Sequence, residues 1–258
     1  EGGAEFFQAG IEDLGASDRA GADARSLVDA HALLTRVLPG HALTVTLGDQ
    51  AVFEAVLSAL GLPRGWQMRL TRAFGSQKLL QAALDDLANP QTASNLPRAV
   101  AGLVARGDEA ALAEHVSVVM EETGLSPTAG RTPQEISRRL IEKAELRSVR
   151  LTDEAMSALK AFVAMRTPLA EAGERLSAFA ADNGLILDDA VETFAARAER
   201  ISAEGLPLEA LTYDAGFGRP LDYYTGFVFE IASPTGTVLA GGGRYDRLLT
   251  LLGAETPI

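Results

Sequence analysis

The chain has 258 residues, a formal net charge of -12, 47% hydrophobic and 22% charged residues, which is ordinary for one large or two smaller globular domains. It has no cysteine, which excludes a disulfide framework and thiolate metal sites and fits a cytoplasmic protein. No run approaches the roughly 18–20 apolar residues that span a bilayer, no signal segment opens the chain, and the acidic balance argues against a nucleic-acid partner.

The ends, Glu1 without a methionine and Pro257-Ile258 straight after an apolar run, fit a piece of a longer protein. Glu5 to Gly15 (EFFQAGIEDLG) reads as a strand, with Phe6, Gln8, Gly10 and Glu12 on one face and Phe7, Ala9 and Ile11 on the other. A helix is predicted over Ala22 to Arg36, then a strand over Ala42 to Leu47. Asp49 or Gln50 opens a helix, Ala51 to Leu60, which Pro63 halts.

From Arg64 to Gly205 the pattern becomes helix after helix. Thr132-Pro133-Gln134-Glu135 carries a capping box with proline at the first helical position. Thr152 caps the next helix, with Asp153 and Glu154 at its positive end. Gly184 and Gly205 stand where helix-ending glycines belong.

Strands return at Leu208 to Phe217 and at Tyr223 to Ala232. Ser233-Pro234-Thr235-Gly236 is turn chemistry, and a return strand from Thr237 makes a hairpin. Three glycines, Arg244-Tyr245-Asp246 and a helix follow. The expected fold class is α+β: one antiparallel sheet flanked by helices and formed by residues 1–63 and 206–258, with an all-helical insertion over 64–205.

Three segments carry chemistry. On the first strand, Gln8 and Glu12 flank Gly10, which would let a ligand lie against the backbone. A solvated polar face, common in antiparallel sheets, explains the same pattern. Gly218 to Gly226 packs Arg219, Asp222, Tyr223 and Tyr224 into one stretch, where Arg219 suits a carboxylate or phosphate or simply pairs with Asp222. Gly241-Gly242-Gly243-Arg244-Tyr245-Asp246 lacks the ending of a phosphate loop and fits a pocket wall better. His31, His41 and His115 are isolated, without metal-ligand spacing, and Trp66 suits packing. No metal or cofactor is expected.

Together these segments resemble the histidyl-tRNA synthetases. Asp222-Tyr223-Tyr224-Thr225-Gly226 with Val228-Phe229-Glu230, then Gly242-Gly243-Arg244-Tyr245-Asp246, resemble the two histidine-specific signatures. The strand with Gln8, Gly10 and Glu12 resembles the second half of class II synthetase motif 2. The resemblance implies a class II synthetase-like core and a histidine pocket. In it Gln8 would hold the α-amino group, and Glu12 and Tyr224 would bond the imidazole. Tyr223 would line the pocket, Arg219 would sit near the carboxylate, and Gly242 and Gly243 would shape the wall. A carboxylate and a phenol together suit both nitrogens of an imidazole.

The departures favour a non-catalytic relative. The synthetases carry arginines before this strand, where the chain reads Glu1-Gly2-Gly3-Ala4-Glu5, and glycine where it has Pro220. These features look like the regulatory subunit of ATP phosphoribosyltransferase, a synthetase paralogue. That resemblance implies a short-form catalytic subunit as partner, free histidine as effector, a homodimer within a hetero-oligomer, and no tRNA or membrane partner. Arg219, which matches a catalytic arginine of the synthetases, keeps a histidyl-tRNA synthetase core as the alternative.

Overall fold

The computed structural model describes residues 7–89, 96–124, 130–219, 223–251 and 253. Helix α1 (Arg19–Val37) starts at Asp18, whose side chain accepts the Gly21 N–H at 3.0 Å. Strand β1 (Thr44–Asp49) runs directly into α2 (Gln50–Ala59). Asp49 closes the one and opens the other, its carboxylate accepting the N–H groups of Ala51 and Val52 at 2.9 and 3.3 Å.

The helical run follows as predicted: α3 (Arg64–Ala73), α4 (Gln77–Ala88), α5 (Arg98–Ala105), α6 (Glu109–Glu122), α7 (Pro133–Ser148) and α8 (Asp153–Val163). The Thr132–Glu135 capping box closes reciprocally, at 2.9 and 3.2 Å, and Thr152 accepts the Ala155 N–H. Gly184 and Gly205 take the left-handed φ of helix ends, at 62° and 92°.

A short strand, β2 (Arg166–Pro168), interrupts this run before α9 (Leu169–Asp182) and α10 (Asp188–Ala203). The expected Leu208–Phe217 strand divides into a 3₁₀ turn (Leu208–Ala210) and β3 (Leu211–Asp214). Strands β4 (Phe227–Ala232) and β5 (Val238–Gly243) form the expected hairpin, followed by α11 (Leu248–Leu251).

The sheet order is β2-β3-β1-β4-β5. It is mixed rather than wholly antiparallel: β1 and β3 run parallel, with Val45 opposite Leu211, and the other pairs are antiparallel. The long helical connection between β1 and β3 is what permits a parallel pair.

The described part of the expected first strand, residues 7–15, is not in the sheet. Alternation marks which face a strand would bury, but a strand forms only against a partner's hydrogen bonds. No strand among the described residues pairs with this segment, and Phe7, Ile11 and Leu14 stand exposed. Glu5 and Phe6 lie outside the described residues.

One apolar core joins the sheet to its helices, taking in Leu27, Phe53, Trp66, Leu159, Leu176, Ile201 and Phe229. A satellite cluster of Val100, Val104 and Leu112, backed by Leu140 and Ile141, holds α5, α6 and α7 together. The Trp66 indole ties α7 to the main core, donating to the Leu146 carbonyl at 2.7 Å. No helix among the described residues is long and apolar enough to cross a membrane.

Candidate functional site

The β4–β5 hairpin assembles the site. Its turn is closed by Ser233, whose N–H donates to the Thr237 carbonyl at 2.9 Å, with Gly236 at a φ of 84°. The register then sets Gly241 opposite Glu230, Gly242 opposite Phe229 and Gly243 opposite Val228. The three glycines therefore lie within β5 itself.

Close approach explains all three. A Cβ on Gly241 would sit 1.8 Å from Nη1 of Arg219. A Cβ on Gly243 would meet the Phe227 carbonyl oxygen at 2.6 Å and the Tyr224 ring at 2.9 Å. Gly242 lies against the Phe229 ring. Bare backbone here is the floor on which an arginine and a tyrosine rest.

Tyr224 is buried and Tyr223 half-buried, their rings 4.8 Å apart, and Tyr245 meets Tyr223 edge-on at 5.9 Å. Burial and the neighbouring Tyr223 phenol push the Tyr224 hydroxyl up to about 12, against the opposing pull of the Arg219 cation. Tyr224 is therefore a neutral hydrogen-bonding group at ordinary pH.

Arg219 is the most telling residue. Its Nε and Nη1 are shielded from solvent yet have no hydrogen-bond partner among the described residues. Among the described residues it pairs with Glu230, 3.7 Å from Nη1, an ion pair without a hydrogen bond. Unmet guanidinium donors beside two phenols suit a small anionic group, a carboxylate above all.

The two signatures are knitted into one unit. The Thr225 N–H donates to the Arg244 carbonyl at 2.9 Å, and the Arg244 N–H to the Phe227 carbonyl at 2.8 Å. The Thr225 hydroxyl donates to the Asp246 carboxylate at 3.2 Å and accepts the Asp246 N–H at 3.1 Å.

The structure thus brings together Arg219, Tyr223, Tyr224, Gly242 and Gly243. Gln8 and Glu12 lie exposed on the segment before α1, and a Cβ on Gly10 would touch nothing within 4 Å. Glu1 to Glu5, Pro220, Leu221 and Asp222 lie outside the described residues, and with them any pairing of Arg219 with Asp222. No group of three metal-ligating side chains occurs among the described residues. A groove of about 500 Å³ between α9 and α10, lined by Gly173, Ala195 and Ala198, shares no residue with this cluster.

Sequence reading passed over a set of buried charges. Arg197 occupies the apolar face of α10 between Phe194 and Ile201, and Asp23 lies beside Ala24 and Leu27 on α1. A charge at an apolar position of a periodic helix was the available signal.

The histidyl-tRNA synthetase family matches the chain over residues 1–134 and 116–257. The chain is 64% identical over 259 residues to a protein of Chelativorans sp. (strain BNC1) named ATP phosphoribosyltransferase regulatory subunit, covering 100% of this chain and 69% of that protein. A protein of the same name from Mesorhizobium japonicum is 65% identical, with the same coverage.

Among solved structures, an ATP phosphoribosyltransferase regulatory subunit/histidyl-tRNA synthetase from Bacillus halodurans has a TM-score of 0.52 at 18% identity, covering 91% of this chain. The histidyl-tRNA synthetase of Nostoc sp. PCC 7120 has a TM-score of 0.53 at 13% identity, covering 92% of this chain. This chain spans 45% and 43% of those two chains, and at such identities the likeness speaks for the fold. On the strength of the close relatives, the chain belongs to the family of ATP phosphoribosyltransferase regulatory subunits, built on the histidyl-tRNA synthetase fold.

Proposed function

We propose that this chain is part of a non-catalytic regulatory subunit that binds free histidine. In this reading it activates a short-form ATP phosphoribosyltransferase catalytic subunit and places it under histidine feedback. The observation that carries the pocket is Arg219, a guanidinium with shielded, unmet donors beside Tyr224 and over Gly241. It would take the histidine carboxylate. Tyr224 would bond the imidazole, Tyr223 would line the pocket, and Gly242 and Gly243 would form its wall. Gln8, for the α-amino group, and Glu12, for the second imidazole nitrogen, would join from the exposed segment before α1.

The names of the close relatives support the regulatory reading. So does the run Glu1-Gly2-Gly3-Ala4-Glu5, which offers ATP or a tRNA end no positive side chain. Feedback requires that histidine bind one state of the assembly more tightly than another. A homodimer within a hetero-oligomer, acting in the cytoplasm, completes the proposal.

The test is phosphoribosyl-ATP formation by the catalytic subunit of the same organism, with and without the full-length protein. Activation that histidine reverses is the expected result, and Glu12→Ala should weaken the inhibition while assembly persists. No activation, together with histidine-dependent ATP–pyrophosphate exchange, would hand the chain to the synthetases, for which the retained Arg219 speaks.

A further inference from the structure

Beneath the hairpin, four charged side chains from four separate parts of the chain meet, three of them buried and Arg244 partly so. Arg197 of α10 is 3% exposed; its Nε donates to Asp23 of α1 at 2.7 Å and its Nη1 to Asp49 at the end of β1. Arg244, just past β5 and 14% exposed, grips the same Asp23 with both arms of its fork, from Nε at 3.1 Å and from Nη2. Two guanidinium and two carboxylate groups leave the cluster neutral. Burial pulls the Arg197 cation down, but Asp49 and Asp23 outweigh it and hold the group above its ordinary range.

Such a cluster is weak evidence of stabilisation, because the desolvation of four ions offsets most of their attraction. Its directional bonds do fix geometry, since each guanidinium is planar and Asp23 Oδ2 takes a donor from both arginines at once. Arg244 is where that geometry reaches the site. Its own carbonyl receives the Thr225 N–H and its N–H bonds the Phe227 carbonyl. Its guanidinium runs 3.5 Å from where a Cβ on Gly226 would lie. Arg197 meanwhile stacks over the Phe227 ring at 5.0 Å. Thr225 and Phe227, the residues on either side of Gly226, are thus tied through the two arginines to the same carboxylate, Asp23.

We infer that Asp23 is a positioning residue for the proposed histidine pocket, holding Thr225 and Tyr224 in place through Arg244 and tying them to α10 through Arg197. This rests on the pocket reading above. It adds that a ligand which moves Tyr224 also acts on α1 and α10, and that those helices act back on the ligand. That reciprocity is a thermodynamic necessity for coupled sites.

The test uses the full-length protein with Asp23→Asn, Asp23→Glu and Arg244→Lys, measuring amide hydrogen exchange by residue and histidine affinity by calorimetry. In Asp23→Asn and Arg244→Lys, exchange at Thr225 and Arg244 should rise tenfold or more. The amides of β1 should stay within twofold of the parent, and the histidine Kd should rise at least tenfold. Asp23→Glu should recover part of both. If Asp23→Asn does not fold, Arg244→Lys carries the test, since that side chain is partly solvated. Exchange that rises evenly through β1 and the hairpin, or not at all at Thr225, overturns the positioning role. Local loosening in a protein whose parent binds no histidine sustains the coupling and sinks the pocket reading instead.

Discussion

The guanidinium of Arg219 lies across Gly241, so near that a Cβ on that glycine would fall 1.8 Å from Nη1. The obstructed atom is the far end of a flexible side chain, and Gly241 does not have a positive φ. Gly241→Ala should therefore leave the fold intact and push the guanidinium aside. Histidine affinity should fall about tenfold or more, roughly 1.4 kcal/mol, while the melting temperature moves by only a few degrees. Calorimetric titration beside a thermal melt checks both. Undiminished affinity would remove Arg219 from the pocket.

Asp49 joins two tasks, capping α2 and pairing with Arg197. Asp49→Ala should lose about 1 kcal/mol from the cap and about 3 kcal/mol more from a buried cation robbed of one partner. Urea unfolding should show a lower midpoint with an unchanged slope. A loss under about 1 kcal/mol would mean that Arg197 finds water or another acceptor when Asp49 is gone.

Trp66 fastens the α5–α7 unit to the main core through its bond to the Leu146 carbonyl. Trp66→Phe keeps the aromatic packing and leaves that carbonyl only the long bond from the Val149 N–H at 3.4 Å, a loss of about 1 kcal/mol. Limited proteolysis should cut within 96–148 first, with the sheet still protected. Cleavage spread evenly over the chain would show that the unit is not held separately.

The Tyr224 hydroxyl, pushed up from 10.0 to about 12, gives a pH signature. The fold favours the neutral phenol, so its contribution to stability is intact below about pH 10. It is lost as pH rises from there towards 12. Alkaline titration of phenolate absorbance should show a step near 12 that Tyr224→Phe removes. A step that remains in that variant would assign it to another tyrosine. Tyr213 is the alternative, since burial and then Asp49 drive its fully enclosed hydroxyl far higher than the ordinary range.

Sequence alone determined the features that local bonds decide. The Thr132–Glu135 box, the Thr152 cap, the Asp49 start of α2 and the Ser233–Thr237 turn each close within about four residues, so neighbours in the chain suffice. The signature words, 222–226 and 242–246, are legible residue by residue, but the bonds that join them, such as Thr225 to Asp246, span 21 positions. Tertiary structure decided everything that depends on distant partners. Residues 7–15 alternate like a strand but find no described edge to join. β2 emerges from a helical run because β3 offers it a ladder, Thr167 against Tyr213. The bond between Asp23 and Arg197 spans 174 positions, and Arg219 reaches its place over Gly241 only once β5 has paired with β4. Hydrogen-bond partners far apart in sequence leave no periodicity to read. Only folding states which charge meets which, and which glycine lies beneath an arginine.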